Sequence, residues 1–372
     1  MIIQNVKLFT GNSFSEGGIS FDAKIREIGA HVHAQDALDG EGGYLIPGLI
    51  DVHTHAAVNE DASDGNAAGM VKMGRYYAEG GVTSWCPTTM TLKEKELTNA
   101  VRAIASYERP EDGAKIAGIH LEGPFINKEK MGAQNPANIA IPDIGLFHRL
   151  NDACGGIVRL ITMAPETEGG IDFIREASKE CTVSVGHTMA DYDTAMRAYE
   201  AGASHTTHLF NAMPPLLHRA PGVVAAALDA GAYVELIVDG LHVDPAVMRL
   251  VQRLFDDHLI FISDSLRCAG MPDGDYELGG QPITMKNGRA TLSGTDTLAG
   301  SSIHLTEGLR RAVSFGIPLE KAVYAATLAP AKSIGIDKET GSLSEGKCAD
   351  MVLLDKELNV KAVFIDGKIG KQ

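Results

Sequence analysis

The chain has 372 residues, 44% of them hydrophobic and 22% charged, a balance that suits one large globular α/β domain plus a smaller appendage. Its formal net charge is −15, from 33 Lys and Arg against 48 Asp and Glu, which argues against nucleic acid or an anionic membrane as a partner. An anionic substrate would need a basic pocket set locally against that global field.

The opening residues, MIIQNVKLFTGNSFSEGG, lack a basic segment followed by a long apolar run, so no signal peptide is expected. No stretch reaches the length of a transmembrane helix. The segments IIQNVKLF, FDAKIREIG and GGYLIPG alternate and carry β-branched residues, and read as short strands. From residue 48 the pattern changes to apolar strands alternating with helical stretches. Eight candidate strands follow in order: GLIDVHTH, VTSWCPTT, IAGIHLEGP, IVRLITMAP, TVSVGHT, SHTTHLFN, AYVELIVDG and LIFISDS. Helical periodicity fills most of the gaps, as in ELTNAVRAIASYE, YDTAMRAYEAG and PAVMRLVQRLF. Successive β-α units in this number predict a (β/α)8 TIM-like barrel, and near-continuous apolar strands suit a parallel sheet buried on both faces. A segment rich in turn residues then predicts a β-hairpin insertion near 270–298, followed by two helices. The closing CADMVLLD and VKAVFIDGK read again as strands. The fold class is therefore α/β, with a barrel over 48–344. Residues 1–47 and 345–372 are expected to join as a small β-sandwich domain, because neither terminal segment alone can bury a core.

The first barrel strand raises a chemical question, because it stops at His53-Thr54-His55. Residues i and i+2 of a strand point the same way, so both imidazoles project from one side of one strand end. Two neutral ring nitrogens on one face suit a divalent transition metal. Chemistry in such a barrel gathers at the C-terminal ends of the strands. Those ends carry Glu122 on the third strand, His187 on the fifth, His208 and Asn211 on the sixth, and Asp264 on the eighth. Each has a plain structural explanation by itself: His187 or Asp264 can cap a helix, and His208 can be a satisfied core histidine. Six ligand-type side chains falling independently at strand ends is a poor coincidence. The fourth strand ends LITMAP and offers no lysine to bridge two metals, which leaves Glu122 as the bridging candidate. His205 and His304 read as structural, and His120 fits either burial or support of Glu122. The five cysteines, Cys86, Cys154, Cys181, Cys268 and Cys348, are odd in number, widely spaced and without a Cys-x-x-Cys pair. They read as reduced thiols of a cytoplasmic protein.

The His-x-His pair with His187, His208 and Asp264 resembles the amidohydrolase superfamily. Together, HLEGPF, GHT, THLFNAMPPL, DGLHV, SDS and TLAGS resemble the N-acetylglucosamine-6-phosphate deacetylases within it, and the likeness runs to the closing GSLSEGKCADMVLLD. The resemblance implies that Glu122, His187 and His208 hold a principal metal. His53 and His55 would hold a second, with Glu122 bridging and Asp264 nearby. Zinc is the expected ion, with iron or another transition metal as the alternative, in one or two copies. Asp264 would be the general base and acid. Asn211, Arg219 and His242 would grip the sugar phosphate in a homodimer whose partner subunit completes that grip. Ala212 and the stretch from Leu298 would line the sugar through backbone groups.

Gln134 stands where the family commonly has a substrate-holding histidine, and glutamine cannot carry a proton charge. That keeps an N-acetylgalactosamine phosphate open as the substrate. Two other readings stand beside it. A cyclic-amide hydrolase is disfavoured by the missing strand-four lysine, and a non-catalytic metal-binding barrel would not need Asp264 as a proton shuttle.

Overall fold

Eight buried strands form the centre of the computed structural model, which describes residues 1–371. They are Leu49–Thr54, Val82–Thr89, Ile119–Glu122, Val158–Met163, Thr182–Val185, His205–Thr206, Tyr233–Ile237 and Leu259–Ile262. All neighbouring pairs are parallel and follow chain order from the first strand to the eighth. Val82–Thr89 is buried at every position, as a strand covered on both faces must be. The intervening helices bury one stripe each. Pro245–Phe255 buries Met248, Val251 and Phe255, while Leu250 and Leu254 stay exposed. Asn66, Asp143, Asp191 and Asp244 cap helix starts by accepting backbone N–H groups.

The seam between the eighth and first strands closes differently. It is held by single bonds rather than a ladder. Asp264 N donates to His53 O at 3.0 Å, and His55 N and Ala56 N donate to Ser265 O at 3.1 and 3.0 Å. Below them the wholly buried Asp51 accepts from Ser263 Oγ at 2.5 Å, and burial pushes its carboxyl up to about 7. The barrel therefore closes where His53, His55 and Asp264 stand.

A second sheet of seven strands joins the two ends of the chain, in the order 368–371, 360–365, 351–354, 38–47, 2–9, 14–21 and 25–29. Its neighbours are antiparallel except for 2–9 against 38–47. The sheet curls until its ends face each other. Phe21 and Phe364 lie three intervening strands apart in the sheet, yet their rings are 5.5 Å apart. They share a core with Ile3, Leu8, Ile19, Ile25, Leu45 and Met351 that is distinct from the barrel core. Strand Leu38–Pro47 runs into the first barrel strand through Gly48 alone, where a Cβ would collide with the Thr83 side chain.

The insertion is a three-stranded antiparallel sheet, Gly274–Leu278, Gln281–Lys286 and Arg289–Leu292, where a two-stranded hairpin is the simpler sequence reading. Leu278, Ile283, Met285 and Ala290 pack on Met90, Leu266 and Ala299, which brings the sheet over one side of the barrel mouth. The sixth strand is shorter than its sequence pattern. SHTTHLFN leaves the ladder after Thr206, and His208 turns into the left-handed region at φ 25°. Among the described residues no helix is long and apolar enough to cross a membrane.

Candidate active site

The six strand-end residues converge. Glu122 Oε1 lies 3.2 Å from His53 Nε2, 3.1 Å from His187 Nε2 and 3.2 Å from His208 Nε2. Its other oxygen lies 3.3 Å from His55 Nε2. Asp264 Oδ1 completes the ring at 3.4 Å from His55 Nε2 and 3.7 Å from His53 Nε2. These ligand atoms fall into two adjacent groups, Glu122 with His187 and His208, and His53 with His55 and Asp264. Glu122 faces both.

The protons of the imidazoles decide what the cluster can hold. His53 Nδ1 is 2.9 Å from Glu235 Oε2, His55 Nδ1 is 3.1 Å from Thr88 O, and His187 Nδ1 is 2.8 Å from Lys130 O. Each of these nitrogens faces an acceptor and so carries the proton, which leaves the lone pair on Nε2. Yet His187 and His208 bring their Nε2 atoms to 3.0 Å, and His53 and His55 bring theirs to 3.3 Å. His208 Nδ1 is buried with no hydrogen-bond partner among the described residues, so its ring proton is not pinned there. Lone pairs meeting at these distances repel unless a cation or a proton lies between them. Donors about 2.0–2.1 Å from a tetrahedral zinc stand about 3.3 Å apart, so the spacing fits a metal of that size. Carboxylate oxygens and imidazole nitrogens, with no sulfur, are a donor set for zinc or a neighbouring transition metal.

The electrostatics of the cluster favour positive charge within it. Burial opposes ionisation of Glu122, but the facing imidazoles outweigh it and hold the carboxyl well below its usual range. For His53 burial is again opposed and overcome, here by the Glu235 and Glu122 carboxylates, which raise it well above its ordinary value. Three of these residues have positive φ: His187 at 46°, His208 at 25° and Asp264 at 48°. Such strain costs on the order of 1–3 kcal/mol per residue and persists where the surroundings over-determine it. At Asp264 that support is visible. Ser301 N donates to Asp264 O at 2.7 Å, and a Cβ on Gly300 would strike the same carbonyl.

His55, Glu122, His187, His208 and Asp264 form the floor of one pocket, with His53 buried behind them. Asn211, Ala212, Gln134, His242 and Leu298 line its walls. Asn211 Nδ2 donates to His208 O at 3.2 Å, which fixes the side chain beside a ligand. Asp239 Oδ2 lies 2.7 Å from His242 Nδ1, and the Asp239 contacts override burial to raise the His242 pKa. Gln134 is already engaged: its oxygen accepts from Thr91 N at 2.7 Å and its amide donates to Glu122. Arg219 is exposed and does not line this pocket within the one chain. His120 reaches Thr162 Oγ1 at 2.8 Å and Val52 O at 3.2 Å, and His205 lies between Glu235 and Ser333, both buried.

Sequence reasoning missed three residues. Arg289 of the insertion sheet lines the pocket and is the lone Lys or Arg among the described residues that do. Asp239 orients His242. Glu235 orients His53, and its signal was an acid inside the apolar run YVELIV.

Residues 44–370 match the model of the amidohydrolase family. The chain is 33% identical to an N-acetylglucosamine-6-phosphate deacetylase of Bacillus subtilis (strain 168), over 99% of this chain and 96% of that protein. It is 35% identical to an N-acetylgalactosamine-6-phosphate deacetylase of Escherichia coli O157:H7, over 93% of this chain and 92% of that one. Among solved structures it is similar to an N-acetyl-D-glucosamine-6-phosphate deacetylase of Mycobacterium smegmatis, an aspartate-to-alanine variant in complex with N-acetyl-D-glucosamine-6-phosphate. The TM-score is 0.95 and the identity 32%, covering 100% of this chain and 99% of that one.

Proposed function

The chain belongs to the amidohydrolase family, and from that premise we propose that it hydrolyses the acetamide of N-acetyl-D-glucosamine 6-phosphate. The products are acetate and glucosamine 6-phosphate, a step in the breakdown of amino sugars. One observation carries the reading: Asp264 Oδ1 stands 3.4 Å from His55 Nε2, at the edge of a metal-type donor cluster and on the floor of a pocket.

A metal held by Glu122, His187 and His208 would acidify a water to about pKa 7 and polarise the amide carbonyl. The chain's own residues do the rest. Asp264 takes a proton from the attacking water as its oxygen bonds to the acetyl carbon. The C–N bond then breaks, and Asp264 returns the proton to the departing amine nitrogen. Zinc is the ion we assign, on the nitrogen and oxygen donors, with His53 and His55 available for a second. Asn211 and His242 hold the sugar phosphate, while Ala212 and Leu298 line the ring. His242 suits this role because Asp239 turns its Nδ1 inward and favours its cationic form. Gln134 serves the substrate through Glu122, which it grips. The free cysteines support a cytoplasmic setting.

Acetate release tests the reading. Zinc-loaded protein is expected to release acetate faster from N-acetylglucosamine 6-phosphate than from the galactosamine epimer, and chelator should abolish both. No release from either sugar overturns the reading.

Arg219 enters as a residue acting across a homodimer. Its loop is exposed together with Leu216 and Leu217, at 43% and 53%, and it leaves its own chain's pocket without that guanidinium. Its planar fork suits a phosphate. Arg219→Ala and Asp264→Asn subunits should each be impaired alone and recover activity when mixed and allowed to exchange. A mixture no better than its parts, or a monomer in sedimentation, removes Arg219 from the partner's site.

A further inference from the structure

Glu235 is wholly buried in the seventh strand, and no step of the reaction uses it. Its Oε2 accepts from His53 Nδ1 at 2.9 Å and from the backbone N of His208 at 3.0 Å. Its Oε1 is 3.0 Å from His205 Nε2, and His205 Nδ1 is 2.6 Å from Ser333 Oγ. The carboxylate is therefore clamped from behind and presents one oxygen to two ligand residues at once.

Each contact has a separate consequence. The bond to Nδ1 fixes the His53 tautomer, so that its Nε2 lone pair faces His55 and Asp264. The bond to the His208 N–H holds a residue whose φ of 25° is rarely adopted outside glycine. One oxygen thus touches a ligand from each half of the centre, one on the first strand and one just past the sixth.

We propose that Glu235 is the positioning residue that makes the His53–His55–Asp264 group a second cation position and couples it to the principal one. The inference rests on the metal-dependent reading above, and its test does not use activity. Wild-type protein and Glu235→Gln are stripped with chelator and titrated with zinc against a chromophoric competitor. The side chain keeps its size, but an amide has one acceptor oxygen, carries an NH2 donor in place of the other, and has no charge. Two zinc ions per wild-type chain are expected. In the variant the weaker ion should lose ~10–100-fold in affinity, the usual effect of removing a partner behind a ligating histidine, and the tighter ion less. In a His53→Gln background, which removes the second position, Glu235→Gln should cost the remaining ion far less.

A purely structural role would lower the melting temperature and leave the ratio of the two affinities unchanged. If Glu235→Gln does not fold, nitrogen NMR of wild-type histidine rings decides: His53 should carry its proton on Nδ1 when zinc is bound. A single zinc per wild-type chain, unchanged affinities in the variant, or a proton on His53 Nε2 would each overturn the proposal. Acetate release by the same wild-type sample reports separately on the deacetylase reading.

Discussion

Asp264→Asn should lower kcat for acetate release by ~10²–10⁴-fold while zinc stays bound at Glu122, His187 and His208. The range is that of a lost general acid–base group, about 3–5 kcal/mol on the barrier at 1.36 kcal/mol per tenfold. Asparagine is the informative replacement for two reasons. It preserves the size of the side chain and its Oδ1. It also tolerates the left-handed backbone that Asp264 adopts at φ 48°, where most residues would add strain. The bonds from Asp264 N to His53 O and from Ser301 N to Asp264 O should therefore survive. What disappears is the ability to accept a proton and return it. KM should change little, since Asn211 and His242 are untouched. Steady-state kinetics with zinc analysis of the same sample checks this, and a rate near wild type would remove Asp264 from the proton-transfer role.

Glu122→Gln should cost more in metal binding than any other single change at the site. One carboxylate faces all four imidazoles, and it is the negative charge shared by both ligand groups. An amide there would set N–H groups against ring lone pairs, and the donor from Gln134 would lose its acceptor charge. Zinc affinity should fall well beyond the ~10–100-fold that an outer-shell partner costs. Activity should match that of chelator-treated wild type. Ligand binding stabilises the folded state by about 2.7 kcal/mol at a hundredfold excess over Kd, so wild-type Tm should rise with zinc while the variant's stays flat. A variant that still binds zinc tightly would assign the ligand role elsewhere.

Much of this centre was legible before any coordinates. Period-two alternation placed His53 and His55 on one face, and the barrel rule directed attention to Glu122, His187, His208 and Asp264 at strand ends. Those inferences depend on spacing within a few residues, which any strand obeys. Gln134 and Arg219 were harder. Their residue types were readable, but the engagement of Gln134 with Thr91 and Glu122, and the exposure of Arg219, depend on how loops lie over the barrel. Arg289 was not found because nothing in GRATLSG says that the insertion sheet reaches the mouth.

The amino-acid order alone pointed to the eight β-α units, to a small β domain shared by the two chain ends and to the kinds of ligand available, from local periodicity, segment length and side-chain chemistry. That the chain ends form one curled sheet was decided by the tertiary structure. Tertiary structure decided which atoms meet. Glu235 binds an imidazole 182 residues away, and Asp51 binds Ser263 across a separation of 212. Both contacts exist because the last strand of the barrel closes on or near the first. Closure of a curved sheet brings distant strand ends together at fixed ångström distances, a constraint that no local pattern along the chain encodes.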